Sequence, residues 1–318
     1  MAHFLPRTNG RATLALGTMN FGKRTPEGEA RKMIAKALER GVTVIDTANV
    51  YENGNSERIV GRALSKDRDR VILATKVGAG RVAGRPEGLS PARIAKAIDE
   101  SLERLATDHV DVYYAHVPDP STPLAETTDA MIEVVRSGKA RAWGVSNHAS
   151  WEVLAMIHHA DRVGGPRPVI SQVLLNLLVR QIEIEHLRFA AAHDLHVTVY
   201  NALAGGLLAG THHKGAPPKG SRFDGNAMYQ RRYWSDRFFE LVDTYAAVAT
   251  DAQMSLVDLA YAWLAARPGV DSILLGPGTV AHLDAAIDAC ARDLPGATLS
   301  RIDEIHTAFL GTDARYAR

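Results

Sequence analysis

Short apolar runs rich in β-branched residues alternate with longer stretches whose apolar positions recur every three or four residues. This alternation fills almost the whole chain. The short runs predict strands at 12–16, 43–46, 71–75, 110–115, 141–145, 169–173, 196–200 and 271–275. The longer periodic stretches predict helices at 30–39, 91–105, 183–192, 235–250 and 255–267, so one extra helix lies between the seventh and eighth strands. Ser90 followed by Pro91 is a helix-start pair, and Gly41 after Glu39 and Arg40 is a helix stop.

Strand–helix alternation implies a parallel sheet covered by helices. Six such units would fit a doubly wound open sheet. Eight, spread evenly, fit a closed (β/α)8 TIM barrel, with extra helices and loops at its C-terminal mouth. The barrel carries a consequence that the open sheet shares only in part: functional side chains should gather where strands end and loops begin.

Composition narrows the options. At about 150 residues per domain, 318 residues suggest two domains, but barrels of this size form one. The expected organisation is therefore a single barrel domain over 1–318. Lys and Arg number 37 against 36 Asp and Glu, which gives no support for a nucleic-acid or anionic-membrane partner. The one cysteine, Cys290, excludes an intramolecular disulfide framework and a Cys-rich metal site. No run approaches about 20 apolar residues, and the first ten residues lack the apolar core of a signal peptide. A cytoplasmic setting, with no membrane partner and no metal, is the expectation.

The predicted strand ends carry the chemistry. Asp46 ends the second strand, with Tyr51 five residues on; Lys76 follows the third, and His116 the fourth. Ser146 and Asn147 follow the fifth strand, Gln172 lies in the sixth, Tyr200 and Asn201 end the seventh, and Gly276 ends the eighth. A lone Asp after a strand is more often a helix cap, and a lone His more often structural. Asp, Lys and His at one end of three consecutive strands, beside a Tyr, suit proton transfer to a carbonyl oxygen. A Lys ammonium near Tyr51 should lower the phenol's pKa, and Asp46 should hold that ammonium charged. A His beside the carbonyl can donate a hydrogen bond and orient it. None of these groups supplies a hydride, so a carbonyl reduction would need a nicotinamide.

The segments GVTVIDTANVYENGNSERIVGRAL, ILATKVG, DVYYAHVPDPSTPLAETTDAM and GKARAWGVSNHASWEV resemble, in order, the signatures of the aldo-keto reductases. These are (β/α)8 barrels that bind NADP(H), and the likeness runs from about Leu16 to the last helix. It implies Tyr51 as proton donor, Lys76 and Asp46 as its tuning pair, and His116 as the group orienting the carbonyl. It further implies that Thr18 and Met19 lie near the cofactor. Ser146, Asn147 and Gln172 would hold the nicotinamide carboxamide, with the Tyr200 ring stacked on the nicotinamide.

LGTMNFGKR, HVPDPSTPLAET, NALAGGLLAG, SRFDGN and MYQRRYW are similar to the branch that reduces aflatoxin aldehyde and succinic semialdehyde. That likeness implies a pyrophosphate wrapped by Asn201, Leu203, Gly205 and Gly206, with Arg222 reaching a phosphate. Tyr229 and Arg232 become substrate candidates, and in a helix their spacing would put them on one face. Arg318 is a second candidate for a substrate carboxylate, for which the arginine fork is suited. The chain departs from the branch after the eighth strand. Gly278, Thr279, His282 and Ala286 stand where small hydroxyl residues, Gln and Asn are usual for the adenosine 2′-phosphate and adenine. The resemblance therefore implies NADP(H), with use of NAD(H) left open.

Residues 17–25 nearly match a phosphate-loop pattern, but Arg24 stands where the Mg²⁺-binding hydroxyl belongs. Residues 78–84, GAGRVAG, read as a mobile loop over the mouth. The adjacent pairs His158–His159 and His212–His213 lack the spacing of helical metal ligands. The sequence thus points to a carbonyl reductase of aldehydes or reactive ketones, a monomer or homo-oligomer whose small substrate could bear a carboxylate. Two rivals remain on the same barrel: a Schiff-base aldolase using Lys76, and a non-catalytic nicotinamide-binding regulatory subunit.

Overall fold

The computed structural model describes Leu5, residues 11–312, Ala314 and Tyr316. Eight parallel strands close into a barrel: β1 (Thr13–Gly17), β2 (Val44–Asp46), β3 (Ile72–Val77), β6 (Val110–Ala115), β7 (Ala140–Ser146), β8 (Ile170–Leu174), β9 (His196–Tyr200) and β10 (Ser272–Leu275). Their order around the barrel is β1-β10-β9-β8-β7-β6-β3-β2, and β1 closes the ring by pairing with both β2 and β10. The open-sheet alternative is thereby excluded. A small antiparallel hairpin, β4 (Arg81–Val82) and β5 (Arg85–Pro86), stands after β3 where the sequence suggested a mobile loop.

The helices are α1 (Glu27–Glu39), α2 (Asn55–Ala63), α3 (Pro91–Leu105), α4 (Leu124–Arg136), α5 (Ser150–Arg162), α6 (His186–Ala192), α7 (Ala227–Tyr233), α8 (Asp236–Asp251), α9 (Leu256–Ala266), α10 (Val280–Cys290) and α11 (Gly296–Leu310). Ser90, Ser235 and Ser255 cap α3, α8 and α9, each accepting a backbone N–H from three residues on. Such caps contribute about 1 kcal/mol each. The helix expected over 183–192 begins later, at His186, after a 3-10 turn at Gln181–Glu183. Glu183 is drawn out of the helix by Arg180 at 2.8 Å and Arg267 at 2.9 Å.

Two apolar cores follow from strand alternation. The larger lies between the sheet and the helices and includes Leu16, Ile45, Val77, Tyr113 and Trp143. The smaller fills the barrel with Ala15, Val44, Ala74, Val112, Tyr114 and Ile170. Side chains two positions apart on a strand share a face. Asp46 is two beyond Val44, Lys76 two beyond Ala74, and Gln172 two beyond Ile170. The residues that cap the apolar filling are therefore polar and converge on the barrel's C-terminal end. Lys76 lies inside β3 rather than after it, and Ser146 inside β7.

Candidate active site

Lys76 is fully buried. Its ammonium donates to Asp46 Oδ1 and, at 2.7 Å, to the Thr47 carbonyl oxygen. The second Asp46 oxygen accepts from Gln172 Nε2 at 2.9 Å. The Asp46 carbonyl oxygen accepts from Thr18 N and Thr18 Oγ1, each at 3.0 Å, and Ser56 Oγ donates to Thr18 Oγ1 at 2.8 Å. Breaking a buried ion pair of this kind by deleting one partner costs about 3–5 kcal/mol. Burial lowers the Lys76 pKa, and Asp46 acts in the opposite direction.

Tyr51 opens a 3-10 turn, Tyr51–Gly54, in the loop after β2. The Lys76 ammonium lies 5.2 Å from the centre of its ring. The His116 ring meets the Tyr51 ring edge-on, with 6.0 Å between centroids. The sequence led us to expect a phenol made more acidic by Lys76. Instead burial, then the negative Asp46 and then Tyr229, raise the Tyr51 pKa above its ordinary value. The main reason is burial, since a desolvated phenol resists becoming a phenolate. Tyr51 is therefore protonated near neutral pH. His116 has its pKa lowered to about 3 by burial and then by Lys76, so its imidazole is neutral. Its Nδ1 is buried and, among the described residues, has no hydrogen-bond partner.

A second polar group surrounds the far side of the mouth. Asn147 and Asn201 follow β7 and β9 in left-handed conformations, with φ of 62° and 64°, a region that asparagine tolerates. Asn147 donates to the His116 carbonyl oxygen at 2.9 Å and to Ser146 Oγ at 3.0 Å, and accepts from the Tyr200 hydroxyl at 2.6 Å. Asn201 Oδ1 accepts from Gly205 N at 2.8 Å, and the Leu203 carbonyl accepts from Gly206 N at 2.8 Å. Gly205 and Gly206 have φ of 72° and 108°; a Cβ on Gly205 would lie 2.8 Å from the Tyr229 ring. This backbone turn could receive a phosphate. Arg222 stands beside it, donating to Asn20 Oδ1 at 2.7 Å, with its guanidinium 5.5 Å from the Tyr229 ring centre. Met19, partly exposed, lies 3.9 Å from an Arg222 nitrogen.

Tyr229 and Arg232 do share α7; burial raises the Tyr200 pKa, and the Arg232 charge acts in the opposite direction. Among the described residues neither Arg222 nor Arg232 is paired with a carboxylate. Gly276 follows β10 with open space around it. The group after it is less open. Thr279 caps α10 by accepting from His282 N at 3.2 Å, and the first amide of α10, Val280 N, donates to Glu29 Oε1 at 2.9 Å. Gly278 lies alongside, where an added Cβ would meet His282 Nδ1 at 3.5 Å. The protein's own acceptors thus already occupy two donors of that helix start. Arg318 lies outside the described residues.

Several contributors carried no sequence signal. The Tyr233 hydroxyl accepts from Asn176 at 3.1 Å and Asn201 at 2.7 Å, so it fixes the asparagine after β9. Asn20, which accepts from Arg222, and the Thr47 carbonyl, which accepts from Lys76, carry no such signal either. Among the described residues no helix is long and apolar enough to cross a membrane. His159, one of the histidines in the adjacent pairs, bonds Asp129 at 2.7 Å.

Comparison with known proteins shows the family. A sequence profile described as "Aldo/keto reductase family" matches residues 13–307. A probable voltage-gated potassium channel subunit beta from Arabidopsis thaliana is 33% identical over 272 residues, covering 83% of each chain. The human aflatoxin B1 aldehyde reductase member 2 is 33% identical over 293 residues, 86% of this chain and 80% of that one. A glycerol dehydrogenase from Gluconobacter oxydans superposes with a TM-score of 0.79 at 27% identity, over 100% of this chain and 99% of its own.

Proposed function

The chain belongs to the aldo/keto reductase family of oxidoreductases, and from that premise we propose that it reduces aldehydes or reactive ketones to alcohols with NADP(H), NAD(H) being the alternative donor. One observation supports this most directly. A protonated Tyr51, a neutral His116 and a Lys76–Asp46 pair meet at one end of the barrel.

The nicotinamide, when bound, supplies the hydride. Asn147, Ser146 and Gln172 would hold its carboxamide, with the Tyr200 ring against its face. The Gly205–Gly206 turn, Asn201, Leu203 and Arg222 would hold the phosphates, an assignment that fits the left-handed glycines and an arginine unpaired with any carboxylate among the described residues. Thr18 and Met19 would border the cofactor, as would Gly276, Gly278, Thr279 and His282.

The neutral His116 donates a hydrogen bond to the substrate carbonyl oxygen and holds it toward Tyr51. Tyr51 then protonates that oxygen as negative charge develops on it. Although burial makes Tyr51 a weaker acid, an alkoxide is a far stronger base than a phenolate, so the proton still moves from Tyr51 to the developing oxyanion. The Lys76 ammonium, 5.2 Å from the Tyr51 ring centre, stabilises the phenolate that results. Arg232 and Tyr229 would meet the rest of the substrate.

The test is Tyr51→Phe. Turnover of an aldehyde panel should fall by about 10²-fold or more, while NADPH still binds, as read by quenching of protein fluorescence. Full turnover in this variant would refute the assignment.

The Arabidopsis relative favours a second reading, a nicotinamide-binding regulatory subunit. That reading requires tight NADPH binding without oxidation by any carbonyl in the panel. A Schiff-base role for Lys76 is opposed by its full burial and its bonds to Asp46 and Thr47, because that chemistry needs a neutral amine reaching the substrate.

A further inference from the structure

Glu87 lies outside every role assigned above, yet its side chain is only 2% exposed. A buried carboxylate is stable only with several donors, and Glu87 has them from three parts of the chain. Oε1 accepts from Asn49 Nδ2 at 2.6 Å and from Arg93 Nε at 2.9 Å. Oε2 accepts from the backbone of Gly78 at 2.8 Å and Gly80 at 3.1 Å. Asn49 sits two residues before Tyr51, and Gly78 two residues after Lys76.

The next residues extend the connection. Leu89 N donates to Asp119 Oδ2 at 2.7 Å, three positions beyond His116. Segment 87–89 therefore bonds to the loops that carry Tyr51 and His116 and to the backbone just past Lys76. The other end of the Tyr51 turn is fixed in the same style. Buried Glu57 accepts from Thr75 Oγ1 and from Arg104 Nε, both at 2.5 Å. Arg93 and Arg104 both belong to α3, eleven residues apart, which is close to three helical turns and so one face. Between Asn49, which Glu87 holds, and Glu57 run Glu52, Asn53 and Gly54, with φ of 46°, 55° and 82°. Left-handed backbone is unfavourable at Glu52 in particular, so fixed ends help to hold this turn.

We propose that Glu87 is a positioning residue for Tyr51: through Asn49 it sets where the phenol stands relative to Lys76 and His116. This rests on Tyr51 being the proton donor. Gln at position 87 could not replace Glu, because either amide orientation points an NH2 at one of the two donor sets.

The test compares Asn49→Ala, Glu87→Gln and Tyr51→Phe with the unmodified protein. Asn49→Ala removes only the link, leaving Glu87 with Arg93 and both glycine amides, so it decides the matter if Glu87→Gln does not fold. In both variants kcat for an aldehyde should fall about tenfold, because small misplacements of a reacting group have effects of this size. The aldehyde KM and the NADPH dissociation constant should stay within about twofold. Amide hydrogen exchange over residues 49–54 should quicken by about tenfold or more in Asn49→Ala, a readout independent of turnover. Unchanged exchange, or kcat within about twofold in Asn49→Ala, overturns the proposal. An active Tyr51→Phe would instead remove the proton-donor role while leaving the exchange result to stand on its own.

Discussion

Gln172 and Asp46 sit on strands diametrically opposed in the barrel, and their side chains meet across it, amide nitrogen to carboxylate oxygen, at 2.9 Å. The bond joins the side of the mouth assigned to the nicotinamide with the Lys76–Asp46 pair. Gln172→Leu leaves a buried carboxylate oxygen without that donor, which costs about 1–3 kcal/mol. Denaturant unfolding should show that loss, and NADPH affinity should fall with it. A variant as stable as the parent, binding NADPH equally well, would mean the bond is incidental.

The pH dependence follows from His116. Its pKa is about 3 in the folded protein, against about 6.5 when unfolded. Between those values the unfolded chain binds the extra proton, so His116 makes stability fall as pH drops from about 6.5 toward about 3 and has no effect above that window. The kcat profile should carry no limb near 6.5 from this residue. A limb in that range that disappears in His116→Asn would contradict a neutral imidazole.

Arg232 reaches the mouth unpaired with any carboxylate among the described residues. Arg232→Ala should raise KM for semialdehyde acids by about tenfold, a typical loss for one charge-assisted contact, and leave neutral aldehydes within about twofold. Equal changes for both classes would assign Arg232 to packing.

Glu29 holds the first amide of α10 with its carboxylate, where the family likeness places the adenosine 2′-phosphate. Two anions at one helix start repel. Glu29→Gln keeps an acceptor oxygen but removes the charge. It should tighten NADPH binding relative to NADH by about fivefold, on the scale of one helix-end charge. Calorimetry with both nucleotides reads this directly, and an unchanged ratio would place the 2′-phosphate elsewhere.

The periodic pattern exposed the barrel because strands and helices bury regular faces. Strands β6 and β9 coincide with the apolar runs that predicted them. A lysine looks like a surface residue, so the sequence puts Lys76 past the end of its strand, whereas it lies inside β3. Asp46, thirty positions away, and the neighbouring Thr47 carbonyl make it an interior one. The expected direction for Tyr51 reverses for a related reason, since the Lys76–Asp46 pair is legible in the sequence but the burial of the phenol is not. Residues 78–84 looked loose because glycines dominate them. What orders the hairpin is Glu87, whose donors come from Asn49 and Arg93 as well as the local backbone.

The ring order has a consequence for biosynthesis. Thr13 stands opposite Ser272, so the first strand made finds its second partner only when the last emerges from the ribosome. Until then the growing sheet has two bare edges, and bare edges invite pairing with other chains. A nascent or prematurely stopped polypeptide lacking β10 would already hold Asp46, Lys76 and Gln172, yet could not close around them. Chaperone demand should therefore concentrate on the interval before residue 275 is exposed.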